Sequence, residues 1–147
     1  MESLQYVYVM YISSSTEIVW NALIDPKMTA KYWQHENVSD WTPGSMWEHR
    51  GLDKEKTVHM AGKVVEFFPP RRMVLTWAYP VDRTHDKKHS RVTIDLETVH
   101  DVTRMTVTHD KFEGNPAMYP AIAKWWPKVM SSLKSLLETG RPLPELW

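Results

Sequence analysis

Residues 117–138, AMYPAIAKWWPKVMSSLKSLLE, decide the fold that this sequence predicts. At 100° per residue, the large apolar side chains fall within an arc of about 140°, the stripe expected of a helix that packs on a core. These side chains are Met118, Ile122, Trp125, Trp126, Val129, Met130, Leu133, Leu136 and Leu137. Pro120 and Pro127 lie on the outer side, where a proline bends a helix with its convex side towards water. We therefore predict one long bent helix over a concave sheet.

Two short helices are predicted near the start of the chain, after a first strand. Tyr6–Ile12 alternates and is rich in β-formers, which indicates the strand. Ser14 and Glu17 match a capping box, so the first helix should have Ser14 as its N-cap. Asp25 is followed by proline, a combination that favours the start of a second helix ending near Trp33.

The middle of the chain predicts a meander of antiparallel strands. Proline and glycine pairs, among them Pro43-Gly44 and Pro69-Pro70, mark the turns. Clean alternation of apolar and polar residues before the last helix indicates a sheet with one buried and one wet face. We predict strands at residues 45–51, 57–68, 72–79, 91–99 and 104–109. The order of one strand, two helices, a meander and a long helix is an α+β fold.

Composition excludes several classes of function. The 147 residues are 42% hydrophobic and 24% charged, as in an ordinary soluble globular chain. Lys plus Arg and Asp plus Glu number 18 each, so there is no basic footprint for nucleic acid or an anionic membrane. The absence of cysteine excludes disulfides, thiolate metal ligands and a cysteine nucleophile.

The chain also lacks signals for export or for division into domains. Its start has no basic segment followed by an apolar run, and no stretch approaches the roughly 18 apolar residues of a membrane-spanning helix. No internal repeat, low-complexity tract or linker interrupts it. We expect a single domain over residues 1–147 and a cytoplasmic location.

Residues along nearly the whole chain carry a family resemblance. In the first half they are Tyr11, Ile12, Glu17, Val19, Trp20, Ala22, Leu23, Asp25, Pro26, Trp33, Pro43, Gly44, Gly62, Val64, Pro69 and Pro70. In the second half they are Thr76, Trp77, Ser90, Val92, Thr93, Thr106, Thr108, His109, Trp126, Leu133, Lys134, Leu137, Glu138 and Gly140. The sequence resembles the START-like (SRPBCC) superfamily, and within it the homologues of the activator of the heat-shock protein 90 ATPase, often grouped with polyketide cyclases.

This resemblance implies the helix-grip fold of the birch-pollen-allergen group. That fold has a curved antiparallel sheet of six or seven strands, two short helices after the first strand, and a long C-terminal helix. It implies a cavity between sheet and helix, and the leading hypothesis is noncatalytic binding of a small hydrophobic or amphipathic molecule. The alternatives are an enzyme similar to polyketide cyclases and dehydrases, and a module that regulates a chaperone ATPase. Eukaryotic-type activators carry a further N-terminal domain, which 147 residues are too few to contain. A monomer or a homodimer is expected.

The candidate ligand-binding residues are those expected to face this cavity. They are Trp33, Trp77, Val92, Ile94, Met105, Val107, His109, Trp126 and Met130. Aromatic rings and methionines make adaptable apolar walls, although each could equally fill the core. His109 could exchange a proton with a ligand, or it could be a structural histidine bonded to its surroundings.

Relatives usually carry Gly-Trp where this chain has Trp125 and Trp126. The extra indole of Trp125 could fill space that is open in relatives, whereas Pro127 could bend the helix and reopen it.

No catalytic or metal-binding motif is evident. None of the seven histidines forms a His-x-His or a helical His-Glu-x-x-His pair. His85 and His89 are four residues apart, but in a polar loop that would not hold them on one face. There is no Gly-x-Ser-x-Gly elbow and no glycine-rich phosphate loop. We therefore expect no metal, no cofactor and no catalytic residue.

Overall fold

The computed structural model describes residues 4–144 and has the helix-grip architecture expected from the sequence. The strands are β1 (Tyr6–Ile12), β2 (His35–Ser39), β3 (Met46–Gly51), β4 (Val58–Phe68), β5 (Arg72–Trp77), β6 (Ser90–Val99) and β7 (Val102–Asp110). The helices are α1 (Thr16–Ile24), α2 (Pro26–Trp33) and α3 (Met118–Thr139), with short 3₁₀ turns at Pro80–Asp82 and Asp86–Lys88. The described strands form one antiparallel sheet of seven in the order β1-β7-β6-β5-β4-β3-β2.

The start of α1 differs by one residue from the prediction. Ser15 is the N-cap, and its hydroxyl oxygen accepts a hydrogen bond from the Ile18 N–H at 3.2 Å. Ser14 belongs instead to the turn that ends β1, where its N–H donates to the Ile12 carbonyl and its own carbonyl accepts from the Thr103 hydroxyl. The cap of α2 is as predicted, because Asp25 accepts from the Lys27 N–H at 2.9 Å.

Strand β2 was not predicted from the sequence. Its residues, HENVS, lack the alternation and the β-branched enrichment of a strand. Gln34 ends α2 in the left-handed conformation, with φ of 60°, and thereby turns the chain back along β3. Pairing with β3 then holds β2 extended, with His35 opposite Gly51 and Ser39 opposite Trp47. Pairing with β3, and not the local sequence, therefore makes residues 35–39 a strand.

Helix α3 is within a residue of its predicted bounds at each end and covers the concave face of the sheet. Its residues Ile122, Trp126, Val129 and Leu133 are all buried, as the apolar stripe predicts. The prediction was wrong for Trp125, which falls within the stripe but is 40% exposed. The helix ends at Gly140, whose φ of 84° suits a residue without a side chain.

The C-terminal end of α3 is tied to the turn after β1. The Glu138 carboxylate accepts a hydrogen bond from the Ser13 N–H at 2.7 Å, and the Lys134 ammonium donates to the Tyr11 carbonyl at 2.5 Å. The same two side chains form an ion pair at 2.8 Å. These contacts anchor the end of α3 that lies away from the strands β2 to β4.

Register irregularities shape the other end of the sheet. The pairing shifts between His49 and Arg50 on β3 and between Val64 and Glu66 on β4, and such bulges bend strands and increase their twist. Gly62 is required here, since a Cβ on it would lie 1.9 Å from the Thr76 carbonyl oxygen. That same oxygen accepts a hydrogen bond from the Trp47 indole N–H at 2.8 Å. Trp47 is thus held against β5 with its ring turned into the core.

Candidate ligand-binding site

A cavity of about 390 Å³ lies under the N-terminal half of α3, between that helix, the end of α2 and the strands β2 to β5. Its apolar lining is Trp33, Met60, Trp77, Tyr79, Met118, Ala121, Ile122, Trp125, Trp126 and Val129. Its polar lining is Gln34, His35, His49 and His59. The cavity is mostly apolar with polar groups gathered at one side, which is the usual character of a small-molecule site.

Three tryptophans from three elements form the apolar wall. Trp33 ends α2, Trp77 ends β5 and Trp126 lies on the inner side of α3. The ring centroids of Trp33 and Trp126 are 5.4 Å apart, those of Trp77 and Trp126 are 5.6 Å apart, and those of Trp33 and Trp77 are 6.4 Å apart. The wall therefore presents π-faces and edges at distances typical of packed aromatic pairs.

Trp125 lies at the cavity mouth. The residue is 40% exposed, and the ammonium nitrogens of Lys124 and Lys128 lie 5.7 Å and 4.9 Å from the centroid of its ring. Both distances are in the range of cation–π contacts. Trp125 therefore borders the cavity and is partly open to solvent.

Three histidines form a row on the polar side of the cavity. His59 on β4 is exposed, His35 on β2 is half-buried, and His49 on β3 is 4% exposed. The nitrogens His59 Nδ1 and His35 Nε2 are 2.8 Å apart, and the His35 and His49 rings stack with centroids 3.9 Å apart. We call His35, His49 and His59 the histidine row.

Each inner member of the row is held by a second contact. His35 Nδ1 lies 2.9 Å from the Trp33 carbonyl oxygen, and His49 Nδ1 lies 2.5 Å from the Asn37 side-chain oxygen. Burial lowers the pKa of His35, and burial together with the nearby charges of His35 and His59 holds the pKa of His49 well below its usual range. His49 is therefore a neutral imidazole in the wall of the cavity.

His109 does not line the cavity but is fully buried behind it. Its Nδ1 accepts a hydrogen bond from the Trp126 indole N–H at 3.1 Å, and its Nε2 donates to the Ser90 hydroxyl oxygen at 2.7 Å. Ser90 in turn donates to the Trp77 carbonyl at 3.1 Å. Burial lowers the pKa of His109 to about 3. Both ring nitrogens are occupied by protein atoms, and the ring holds two tryptophans of the cavity wall.

The structure brings only some of the candidate residues to the cavity. Trp33, Trp77 and Trp126 surround it, and Val92 and Ile94 reach a separate void of only about 20 Å³ behind these tryptophans. Met105, Val107 and Met130 are buried in the core between sheet and helix. Ligand contacts by these candidates stay predictions.

The histidine row was not predicted from the sequence. His49 shares a strand face with Trp47, a signal visible in the sequence. His35 could be placed only with β2, which the pattern did not indicate. The strand order is what brings residues 35, 49 and 59 together.

Metal ligation has no geometric support in the described chain. Among residues 4–144, no group of three or more histidine or carboxylate side chains converges as a metal site would require. In the loop after β5, His89 is bonded to the Thr76 hydroxyl at 2.8 Å and to the Asp82 carbonyl at 2.9 Å, while His85 lies 3.8 Å from the Asp82 carboxylate. The helices within residues 4–144 are also too short or too polar to cross a membrane.

Comparison with known families agrees with this architecture. The family model for Activator of Hsp90 ATPase homolog 1-like protein matches residues 13–138. The chain belongs to this family. No functionally curated protein matches it in sequence.

Solved structures of similar fold come from several sources. CalU16 from Micromonospora echinospora has a TM-score of 0.75 at 21% identity, over 95% of this chain and 77% of that one. The Aha1 dimer from Colwellia psychrerythraea has a TM-score of 0.75 at 20% identity, over 93% of this chain and 98% of that one. DynU16, from the dynemicin biosynthetic locus, has a TM-score of 0.75 at 20% identity, over 94% of this chain but 48% of its own. These likenesses confirm the helix-grip fold.

Proposed function

We propose that this protein binds a small hydrophobic or amphipathic molecule, without catalysis, in the cavity between the sheet and α3. The observation that carries the proposal is the cavity of about 390 Å³, lined by tryptophans on one side and histidines on the other. Its volume falls in the lower part of the about 300–1,000 Å³ range of ligand sites.

The matched pair Ala121→Phe and Ala123→Phe tests the proposal. Both alanines are half-buried on α3, but only Ala121 lines the cavity. A phenyl ring at position 121 should occupy ligand space, whereas one at position 123 changes the same helix elsewhere. Native mass spectrometry of purified protein would first identify any co-purified molecule.

A panel of fatty acids, flavonoids and polycyclic aromatics is then titrated by calorimetry and by tryptophan fluorescence. We expect at least one compound to raise the melting temperature of the wild type, through preferential binding to the native state. Ala121→Phe should weaken that binding at least about tenfold, or about 1.4 kcal/mol, and Ala123→Phe should leave it within about twofold. A panel without any binder, or equal binding by Ala121→Phe, would refute the proposal.

An enzyme similar to polyketide cyclases and dehydrases is the second candidate, and the histidine row favours it. Such chemistry needs few acid–base groups beside an oriented substrate, and imidazole is the most common of them. The test is to incubate the co-purified molecule with fresh protein and follow its mass over time. Conversion to a product by the wild type would replace the noncatalytic proposal.

Regulation of a chaperone ATPase is supported only by the family description. A pull-down with purified Hsp90, followed by an ATPase assay, tests it. The Colwellia neighbour is described as a dimer, and for this chain a monomer or a homodimer stays the expectation, to be checked by light scattering.

A further inference from the structure

The cavity wall carries a hydrogen-bond acceptor whose tautomer is fixed by its neighbour. The Asn37 side-chain oxygen, 2.5 Å from His49 Nδ1, can only accept, so Nδ1 carries the proton. In a neutral imidazole the other nitrogen, Nε2, then has a free lone pair. Within residues 4–144, no residue forms a hydrogen bond with His49 Nε2, although His49 lines the cavity.

The outer histidines leave this acceptor in place. His35 uses both nitrogens, since Nδ1 donates to the Trp33 carbonyl and Nε2 accepts from His59 Nδ1. The His35 ring stacks on His49 at an interplanar angle of 11°, and the Trp33 ring contacts His49 at a tilt of 59°, with centroids 4.8 Å apart. These two ring contacts therefore clamp His49 in one orientation and fix the direction of its Nε2 lone pair.

The same wall carries a hydrogen-bond donor. The indole N–H of Trp77 is buried and has no hydrogen-bond partner among the described residues. Trp77 lines the cavity, and its ring centroid is 6.1 Å from that of His49. Trp20 Nε1 and Asp110 Oδ1 are also without partners, but neither residue lines the cavity. Buried polar groups are normally satisfied, so the unmet Trp77 donor, in the same wall as the free His49 acceptor, indicates a ligand group that serves both.

We propose that His49 Nε2 and the Trp77 indole N–H recognise the hydroxyl of a neutral aromatic alcohol, such as a phenol. A hydroxyl donates one hydrogen bond and accepts another, so it can satisfy both groups at once. The ring of the ligand then packs among Trp33, Trp77 and Trp126. This inference rests on the proposed function and names its ligand class.

The composition of the lining favours a neutral ligand head over an anionic one. The cavity lining within the described chain contains no Lys, Arg, Asp or Glu. A carboxylate would therefore find no Lys or Arg in the lining itself, and the nearest lysines, Lys124 and Lys128, lie over the Trp125 ring at the mouth.

Two compounds of nearly the same shape test the recognition. In 2-naphthol a hydroxyl replaces the fluorine of 2-fluoronaphthalene, so only the first can donate a hydrogen bond to His49. One neutral hydrogen bond should make the wild type bind 2-naphthol about two- to twelvefold more tightly. His49→Phe keeps an aromatic ring in the clamp and removes the acceptor, so the preference should disappear.

His59→Phe is the comparison variant, because the exposed His59 is the other histidine of the row with an unused nitrogen. If His59→Phe lost the preference for 2-naphthol while His49→Phe kept it, the acceptor would be His59 and the proposal would be overturned. Long-range ¹H–¹⁵N correlation spectra of the ligand-free protein should show His49 protonated on Nδ1. A proton on Nε2 would overturn it too.

The outcomes separate this inference from the function on which it rests. If both compounds bind equally well, and Ala121→Phe weakens both, the cavity binds ligands but the hydroxyl recognition is wrong. If neither compound binds the wild type and the wider panel also fails, both proposals fall. If His49→Phe does not fold, two measurements on the wild type still test the proposal: its preference for 2-naphthol over 2-fluoronaphthalene, and the His49 tautomer seen in the ¹H–¹⁵N spectra.

Discussion

At the scale of single residues, His109 shows how burial changes what a histidine can do. Its nitrogens join Trp126 to Ser90, and Ser90 is bonded to the Trp77 backbone. The network fixes two walls of the cavity from behind. Because both nitrogens are engaged, we assign His109 a structural role that supports the cavity, and the acceptor role to His49.

His109 should make the protein sensitive to acid. Its pKa is about 3 when folded, against about 6.5 when unfolded, so between these values the unfolded chain binds the extra proton. Stability is therefore fully present above about pH 6.5 and falls by up to about 1.4 kcal/mol per pH unit as the pH drops towards 3.

The variant His109→Gln isolates this effect. It should be less stable than wild type at pH 7, because glutamine cannot reproduce both hydrogen bonds. The difference in the free energy of unfolding between the two proteins should become smaller as the pH falls below 6.5. Urea unfolding of both proteins from pH 7 to pH 4 measures this difference. Other titrating groups, such as His49 and Glu138, are present in both proteins, so their contributions cancel when the two free energies are subtracted. Parallel stability curves would contradict the assignment.

At the scale of elements, α3 is held by the burial of its apolar stripe. Leu133 is fully buried, whereas Leu137, one turn later, is only half-buried. Leu133→Ala should cost about 2–5 kcal/mol in the free energy of unfolding, since it leaves a cavity in a packed region.

Leu137→Ala is the matched control, with an expected cost below about 2 kcal/mol because less apolar surface is lost. Denaturant unfolding with unchanged m-values provides the comparison. A loss below about 1 kcal/mol for Leu133→Ala would mean that the helix packs differently.

At the scale of the whole molecule, the two ends of α3 differ in what they contact. The C-terminal end is bonded to Tyr11 and Ser13, while the N-terminal half lies over the cavity. Pro127, which lacks an N–H, interrupts the hydrogen-bond ladder between the two halves. This arrangement suits a helix that opens at one end to admit a ligand.

Hydrogen exchange measured by mass spectrometry should reveal this asymmetry. We expect lower protection for residues 118–126 than for residues 129–138 in the ligand-free protein, because the first segment lies over the cavity. A bound ligand should raise protection mainly in the first of these segments. Equal protection of both halves would argue against opening at α3.

The sequence alone determined the features that depend on local periodicity and local capping. The stripe on α3, the alternation in β6 and β7 and the Asp25 cap could all be predicted, because each is encoded in neighbouring residues. The long helix over an antiparallel sheet followed from them. Of the cavity tryptophans, Trp126 lies on the predicted inner side of α3, whereas Trp33 and Trp77 were expected at the cavity as residues that carry the family resemblance.

Only the tertiary structure decided the polar side of the cavity. His35, His49 and His59 come from three strands, and one of these, β2, is extended only because β3 pairs with it. The outward Trp125, the clamped tautomer of His49 and the engaged His109 likewise depend on contacts between residues distant in the chain. Periodicity reports which face of an element is apolar, but register and strand order decide which side chains meet.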